Sequence, residues 1–176
     1  MTSPPRPASA PASASTALGR ETALLDVAVT ALRQRRDAAG ALRALDQFEA
    51  QFPQGLLAGE AQRARVDALL LLGRQDQALA ALKGMELLPV GRGLELVLIR
   101  AELQAQRDCL PAVADFSLVL GGEAPSSFRE RALWGRAACR AQLGRAHEAG
   151  DDARAYLTHF PRGRFQERAR RLLDAP

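Results

Sequence analysis

The sequence predicts an all-α protein: an α-solenoid of four antiparallel helical hairpins followed by a C-terminal capping helix. Alanine and leucine dominate the apolar residues and aromatic residues are only 5% of the chain, a composition that favours helices over strands. Prolines recur every 36 residues, at Pro53, Pro89, Pro125 and Pro161. Between these prolines the apolar residues follow helical spacing, so each repeat is predicted to be a pair of helices.

The predicted organisation has three parts. Residues 1–20 are rich in Pro, Ala and Ser and are predicted to be a disordered linker. Residues 21–161 are predicted to hold the helical repeats, and residues 162–176 the capping helix and tail. The approximate repeat units are 18–53, 54–89, 90–125 and 126–161.

The predicted turns within the hairpins carry local signals for helix ends. Gly73 and Gly144 are expected to end first helices in the left-handed conformation. The segment SFRE predicts a capping box in which Ser127 and Glu130 each bond the other's backbone amide. Three aspartates are expected to cap second helices: Asp37, Asp76 and Asp108.

The near-identical segments FPQG (52–55) and FPRG (160–163) are predicted joints between hairpins. A residue that precedes proline avoids the α conformation, so each recurring proline is expected to stop a second helix. Glycines two residues later are expected to help the chain reverse: Gly55, Gly91 and Gly163. The final segment, FQERARRLLDAP, predicts a lone helix that covers the open end of the stack.

The charge distribution argues against nucleic-acid binding. The net charge is +4, but residues 21–161 hold 17 basic and 18 acidic side chains, so the excess lies in the terminal segments. A duplex-binding protein is expected to gather its positive charge on the folded body. No apolar stretch approaches the ~20 residues that a membrane-spanning helix needs, and the N-terminal segment lacks the apolar core of a signal peptide.

The fourth repeat, ALWGRAACRAQLGRAHEAGDDARAYLTHFP, resembles a tetratricopeptide (TPR) repeat. Ala137, Gly144, Ala149 and Pro161 match the family's small, turn and terminal positions. Its aromatic positions are mostly aliphatic here, and the period is 36 rather than about 34. The likeness, which covers residues 21–173, implies a degenerate TPR-like solenoid.

The phrase YLTHFPRGRF also resembles helical repeats of bacterial cell-envelope proteins, including lipoproteins and FecR-like anti-sigma regulators. This narrower resemblance implies a periplasmic or otherwise extracytoplasmic location, with the cytoplasm as the alternative.

Cys109 and Cys139 are candidates for a disulfide. They are expected on consecutive antiparallel helices, at nearly equal distances from the turn that joins them, and would therefore lie level across the hairpin. The alternative is that both are small buried residues with free thiols. A disulfide would indicate an oxidising compartment.

No enzymatic activity, cofactor or metal is expected. His147 and His159 lack a paired ligand spacing with each other or with the cysteines, and are expected at the surface. The acidic group Glu148, Asp151 and Asp152 has no predicted pocket in which to act as an acid or base.

The single tryptophan, Trp134, is the first candidate for a partner-binding groove. The TPR resemblance implies that it lies on the concave side, in the same register as Asp26, Thr30, Arg33, Arg63 and Asp67. A tryptophan flanked by arginines is typical of a binding hot spot. The alternative is a structural tryptophan wedged between the third and fourth hairpins.

The sequence therefore predicts a non-enzymatic protein–protein interaction module that holds a peptide or helix of a partner protein, as part of a bacterial envelope regulator or sensor. A structural scaffold of an envelope complex is the alternative. A third possibility is that the basic tail, residues 162–171, contacts anionic lipid or nucleic acid. No small-molecule substrate is expected, and membrane attachment is expected only through an anchor upstream of this chain.

Overall fold

The computed structural model describes residues 12–174, which form nine α-helices and no strand. The predicted all-α class is therefore confirmed. The helices are α1 (Ala12–Arg33), α2 (Ala38–Gln51), α3 (Ala58–Leu71), α4 (Gln75–Lys83), α5 (Gly91–Ala105), α6 (Cys109–Gly121), α7 (Ser126–Gln142), α8 (Ala146–His159) and α9 (Gln166–Asp174).

The chain divides into two compact units, Met1–Ala81 (unit 1) and Leu82–Pro176 (unit 2). In unit 1, α1 packs against α2, α2 against α3, and α1 also against α3. In unit 2, each helix from α5 to α9 packs against the next, and α5 also packs against α7. The hairpins α1–α2 in unit 1 and α5–α6 and α7–α8 in unit 2 are thus formed, and within each unit first helices contact one another (α1 with α3, α5 with α7), as in stacked helical repeats.

Small and aliphatic side chains fill the core of each unit. In unit 1 the fully buried residues include Ala28, Leu45 and Val66. In unit 2 a cluster built from α5, α6 and α7 surrounds Leu98 and Phe116. Each buried leucine or phenylalanine contributes about 1.5–3 kcal/mol of burial free energy, so packing of these apolar faces stabilises helices that would be marginal alone.

The predicted linker boundary is wrong, because α1 already begins at Ala12. Residues 12–20 contain no proline and are rich in alanine, so the helix extends upstream without interruption. The segment 1–11 of the predicted linker lies outside the described residues.

Most of the residues predicted to end or cap helices within the hairpins have the predicted role. Gly73 and Gly144 have φ values of 68° and 72°, the left-handed conformation expected at a helix end. The Asp37 carboxylate accepts a hydrogen bond from the Gly40 amide at 2.7 Å, and that of Asp108 from the Leu110 amide at 2.9 Å. Asp76 instead lies in the first turn of α4, since that helix begins at Gln75, directly after the tight turn.

The prediction that every recurring proline stops a second helix is wrong for two of the four. Pro53 and Pro161 do follow the ends of α2 and α8. Pro89 lies six residues beyond the end of α4 and just before α5, and Pro125 is the N-cap of α7. Proline suits these starting positions, because it has no amide hydrogen to leave unpaired at a helix N-terminus.

The predicted capping box at the start of α7 is also wrong. Ser127 lies inside the helix rather than at its cap. The Glu130 carboxylate binds elsewhere, accepting hydrogen bonds from the Tyr156 hydroxyl at 2.7 Å and from the Arg164 amide at 2.9 Å. Tertiary partners thus replace the local one that the sequence pattern indicated.

Candidate functional site

The two cysteines lie together in unit 2. Cys109 at the start of α6 and Cys139 near the end of α7 form a disulfide, with Cα atoms 5.0 Å apart. Both residues are buried, at 6% and 2% exposure. Because the bond closes a loop of 30 residues, the chain-entropy relation assigns it on the order of 3–4 kcal/mol.

Five of the six residues predicted for a partner groove lie on adjacent helices of unit 1. Asp26, Thr30 and Arg33 follow one another along one face of α1 at helical spacing. Arg63 and Asp67 are four residues apart on α3, which packs against α1. Arg63 forms an ion pair with Glu60 at 3.3 Å.

Trp134, the sixth, belongs to unit 2 and is partly buried. Its ring stacks on that of Phe165, with centroids 5.6 Å apart and planes 18° from parallel. It therefore packs the fourth hairpin against the segment that leads into α9. The alternative position between the third and fourth hairpins stays a prediction. A groove shared by all six residues stays a prediction.

Arginines on the first helices form a recurring set that the sequence analysis missed. Arg65, Arg100 and Arg136 are spaced 35 and 36 residues apart. Each bonds carboxylates of a neighbouring second helix: Arg65 bonds Asp46 and Glu49, Arg100 bonds Asp115, and Arg136 bonds Asp152. This spacing, which differs by at most one residue from the 36-residue spacing of the prolines, was the signal in the sequence that could have revealed the set.

Two of these pairs are bidentate and largely buried. Arg100 donates from two nitrogens to Asp115 at 2.7 and 2.8 Å, and this hydrogen bonding raises the pKa of the Arg100 guanidinium above its usual value. The Asp152 carboxylate, 6% exposed, accepts from both Arg136 and Arg140. Such charge-assisted pairs fix the positions of the helices that carry them.

A groove of about 750 Å³ lies between α6, α7 and α8 in unit 2. Its apolar lining includes Leu120, Leu133 and Phe160, while Ser117, Ser126, Arg129, Arg136 and His159 supply polar atoms. Ligand grooves commonly combine an apolar surface with a few convergent polar groups. We call this the unit-2 groove.

The polar groups of the unit-2 groove are held in place. Arg136 donates to Ser117 Oγ at 3.1 Å in addition to its pair with Asp152. Arg129 donates to the Leu120 carbonyl at 3.3 Å, a neutral partner that leaves its charge uncompensated. None of the described residues that line the groove is acidic, and Arg136 is already paired with Asp152, so the uncompensated positive charge of the groove comes from Arg129.

The remaining titratable groups show surface arrangements. His147 is exposed and lies 3.2 Å from Asp151, and a hydrogen bond from Arg154 lowers the pKa of that aspartate. His159 ends α8 and contacts the Phe160 ring edge-on. Within residues 12–174 no group of three or more His, Cys, Asp or Glu could hold a metal ion. In the same range, no helix has the length and apolar character of a membrane span.

Comparison with known proteins found no matching family model, no similar curated protein and no similar solved structure.

Proposed function

We propose that this protein is a non-enzymatic protein-binding module whose unit-2 groove holds a peptide or helix of a partner protein. The observation that carries the proposal is the groove itself: an open, partly apolar trough whose arginines are positioned by hydrogen bonds before any ligand arrives. Preorganised polar groups beside apolar surface lower the entropy lost on binding.

An extracytoplasmic setting, as a TPR-like arm of an envelope regulator or sensor, is part of the same proposal. The Cys109–Cys139 disulfide supports it, since such bonds persist mainly in oxidising compartments.

Blocking the groove tests the proposal. Gly121 ends α6 and lines the groove, and a Cβ added there would meet no atom within 4 Å, so the position has room for a side chain. We expect Gly121→Phe to place an aromatic ring at the groove and obstruct it. Peptides selected from a displayed random library against the native protein should lose at least roughly tenfold in affinity for this variant.

The matched control is Gly59→Phe on α3, where a new Cβ would meet only the tip of Arg63 at 3.8 Å. It should bind the selected peptides like the native protein. A library that yields no binder, or binders indifferent to Gly121→Phe, would refute the groove function and leave the scaffold alternative.

A further inference from the structure

A second concave surface lies within unit 1. A pocket of about 530 Å³ forms where the α1–α2 turn meets the C-terminal end of α3. Its apolar lining includes Leu32, Leu71 and Leu72, and Leu71 is 66% exposed. A large apolar side chain that is this exposed beside a cavity offers apolar surface that a binding partner could bury.

Two arginines that have no ion-pair partner among the described residues line this pocket, Arg33 and Arg36. Elsewhere in unit 1, Arg43, Arg63 and Arg65 each lie within 4.0 Å of a carboxylate. Within the described part of unit 1, five arginines have no such partner: Arg33 and Arg36 in the pocket lining, Arg35 and Arg74 close to lining residues in the sequence, and Arg20 near the start of α1.

Local acidic charge does not offset these arginines. Asp37 is the only acidic residue among the described residues that line the pocket, and its carboxylate already caps α2 and lies 3.9 Å from Arg43. The pocket mouth therefore carries a clear excess of positive charge.

Arg36 has a backbone conformation that is unusual for a residue other than glycine. Its φ is 52°, the left-handed conformation that glycines adopt in the α3–α4 and α7–α8 turns. A residue with a Cβ is disfavoured in this conformation, so glycine would make the turn more stable. Arginine at this position instead makes a positively charged residue part of the pocket lining.

We propose that these residues form a docking site for an acidic amphipathic segment of a partner protein. The arginine–leucine patch is defined as Leu32, Arg33, Arg36, Leu71 and Leu72. A leucine-sized side chain of the segment enters the pocket, and flanking carboxylates pair with the two guanidiniums. A pocket between arginines suits one inserted side chain, whereas a bilayer would favour apolar groups that protrude from a surface.

A synthetic probe tests this site directly. The probe is a capped, dye-labelled helical peptide with leucines along one face and glutamates along the other, and binding is followed by fluorescence anisotropy. Binding should weaken as salt is added. Arg33→Gln and Arg36→Gly should each weaken it about threefold to fivefold, the value of one exposed ion pair.

Arg36→Gly is the most discriminating variant, because it should raise the melting temperature of the protein and at the same time lower its affinity for the probe. The control Arg63→Gln removes an arginine that already has a partner and should leave probe affinity unchanged. Gly121→Phe should also leave it unchanged, so the result does not depend on whether the unit-2 groove binds peptides.

Three results would overturn the proposal. The probe could fail to bind, it could bind Arg36→Gly as tightly as the native protein, or a peptide with lysines in place of the glutamates could bind equally well. Vesicles of phosphatidylserine and phosphatidylcholine that bind the protein when the probe does not would reassign the patch to lipid.

Discussion

The joint after α2 in unit 1 and the joint after α8 in unit 2 show how one sequence phrase supports two hydrogen-bond arrangements. Both second helices end at a phenylalanine with nearly the same backbone angles, φ −136° and ψ 60° at Phe52, φ −131° and ψ 60° at Phe160. In both, the glycine amide then donates to the carbonyl of that phenylalanine, at 3.1 Å and 2.9 Å. Each turn encloses a carboxylate from the first helix of its own hairpin.

The two joints differ in how the carboxylate is bound. In unit 1 the Leu57 amide donates directly to Glu21 at 2.9 Å. In unit 2 the equivalent amide, that of Phe165, donates to the Tyr156 hydroxyl at 2.9 Å, which in turn donates to Glu130 at 2.7 Å. A hydroxyl thus stands between amide and carboxylate, and the Arg164 amide also binds Glu130.

One change of residue type contributes to this difference, beside a shift of one residue in the position of the carboxylate: Glu21 precedes Leu57 by 36 residues and Glu130 precedes Phe165 by 35. Phe48 occupies the place in α2 that Tyr156 occupies in α8, four residues before the terminal phenylalanine in each case. Both rings are buried. In unit 2 the Tyr156 hydroxyl lies between the turn amide and the carboxylate and adds one hydrogen bond to the link. The backbone angles of the two terminal phenylalanines stay nearly the same.

The largest expected effect comes from alanine at the two joint glycines. At Gly163 a Cβ would overlap the Tyr156 hydroxyl and lie 2.5 Å from Glu130 Oε1; at Gly55 it would lie 2.6 Å from Glu21 Oε2. Gly163→Ala should cost about 3 kcal/mol, because it separates two bonded polar groups, and Gly55→Ala about 2 kcal/mol. Urea unfolding followed by circular dichroism measures both.

Trp134 fluorescence reports on the unfolding of unit 2 separately, since this is the only tryptophan in the chain.

Gly121→Ala is the control for the two glycine substitutions. Its Cβ would meet open space, so the free energy of unfolding should stay unchanged or rise slightly. Equal costs at Gly55 and Gly163 would show that the hydroxyl does not tighten the second joint.

A smaller effect is expected from Tyr156→Phe, which gives the second joint the residue type of the first. Glu130 can then bind the Phe165 amide directly, as Glu21 binds that of Leu57, so the loss should be about 1 kcal/mol. A loss above about 3 kcal/mol would indicate that the two joints are not interchangeable.

The same variant should change the dependence of stability on pH. Burial, followed by the hydrogen bond to Glu130, raises the pKa of Tyr156 from 10.0 to about 12. Because the folded protein holds this proton more tightly than the unfolded chain does, native stability should fall as pH rises from about 10 to about 12. Tyr156→Phe should remove that part of the decline.

Local chemistry in the sequence predicted much of the fold. Some features depend only on neighbours along the chain, so a sequence pattern is sufficient to predict them. They are the 36-residue period, the helical spacing of apolar residues, and the turn residues Gly73, Gly144, Asp37 and Asp108. The roles of Glu21 and Glu130 depend on amides 36 and 34 residues away. A local pattern around Glu130 indicated a capping box instead, and the tertiary partners prevailed.

The candidate sites were predicted less well than the fold. The TPR register predicted that Trp134 lines a partner-binding groove. Its ring stacks on Phe165, and Phe165 belongs to the segment after the fourth repeat, so the repeat pattern could not predict this contact. The unit-2 groove combines residues from three helices and has no compact sequence signature. The recurring arginines were readable from spacing alone, whereas their pairing was not.

Each FPxG turn binds a carboxylate from the first helix of its hairpin. Amide hydrogen exchange at Leu57 and Arg164, in the native protein and in Glu130→Ala, tests it most directly. We predict that both amides are protected in the native protein, and that Glu130→Ala exposes Arg164 while Leu57 stays protected. Rapid exchange of both amides in the native protein, or protection of Arg164 that survives the substitution, would contradict the claim.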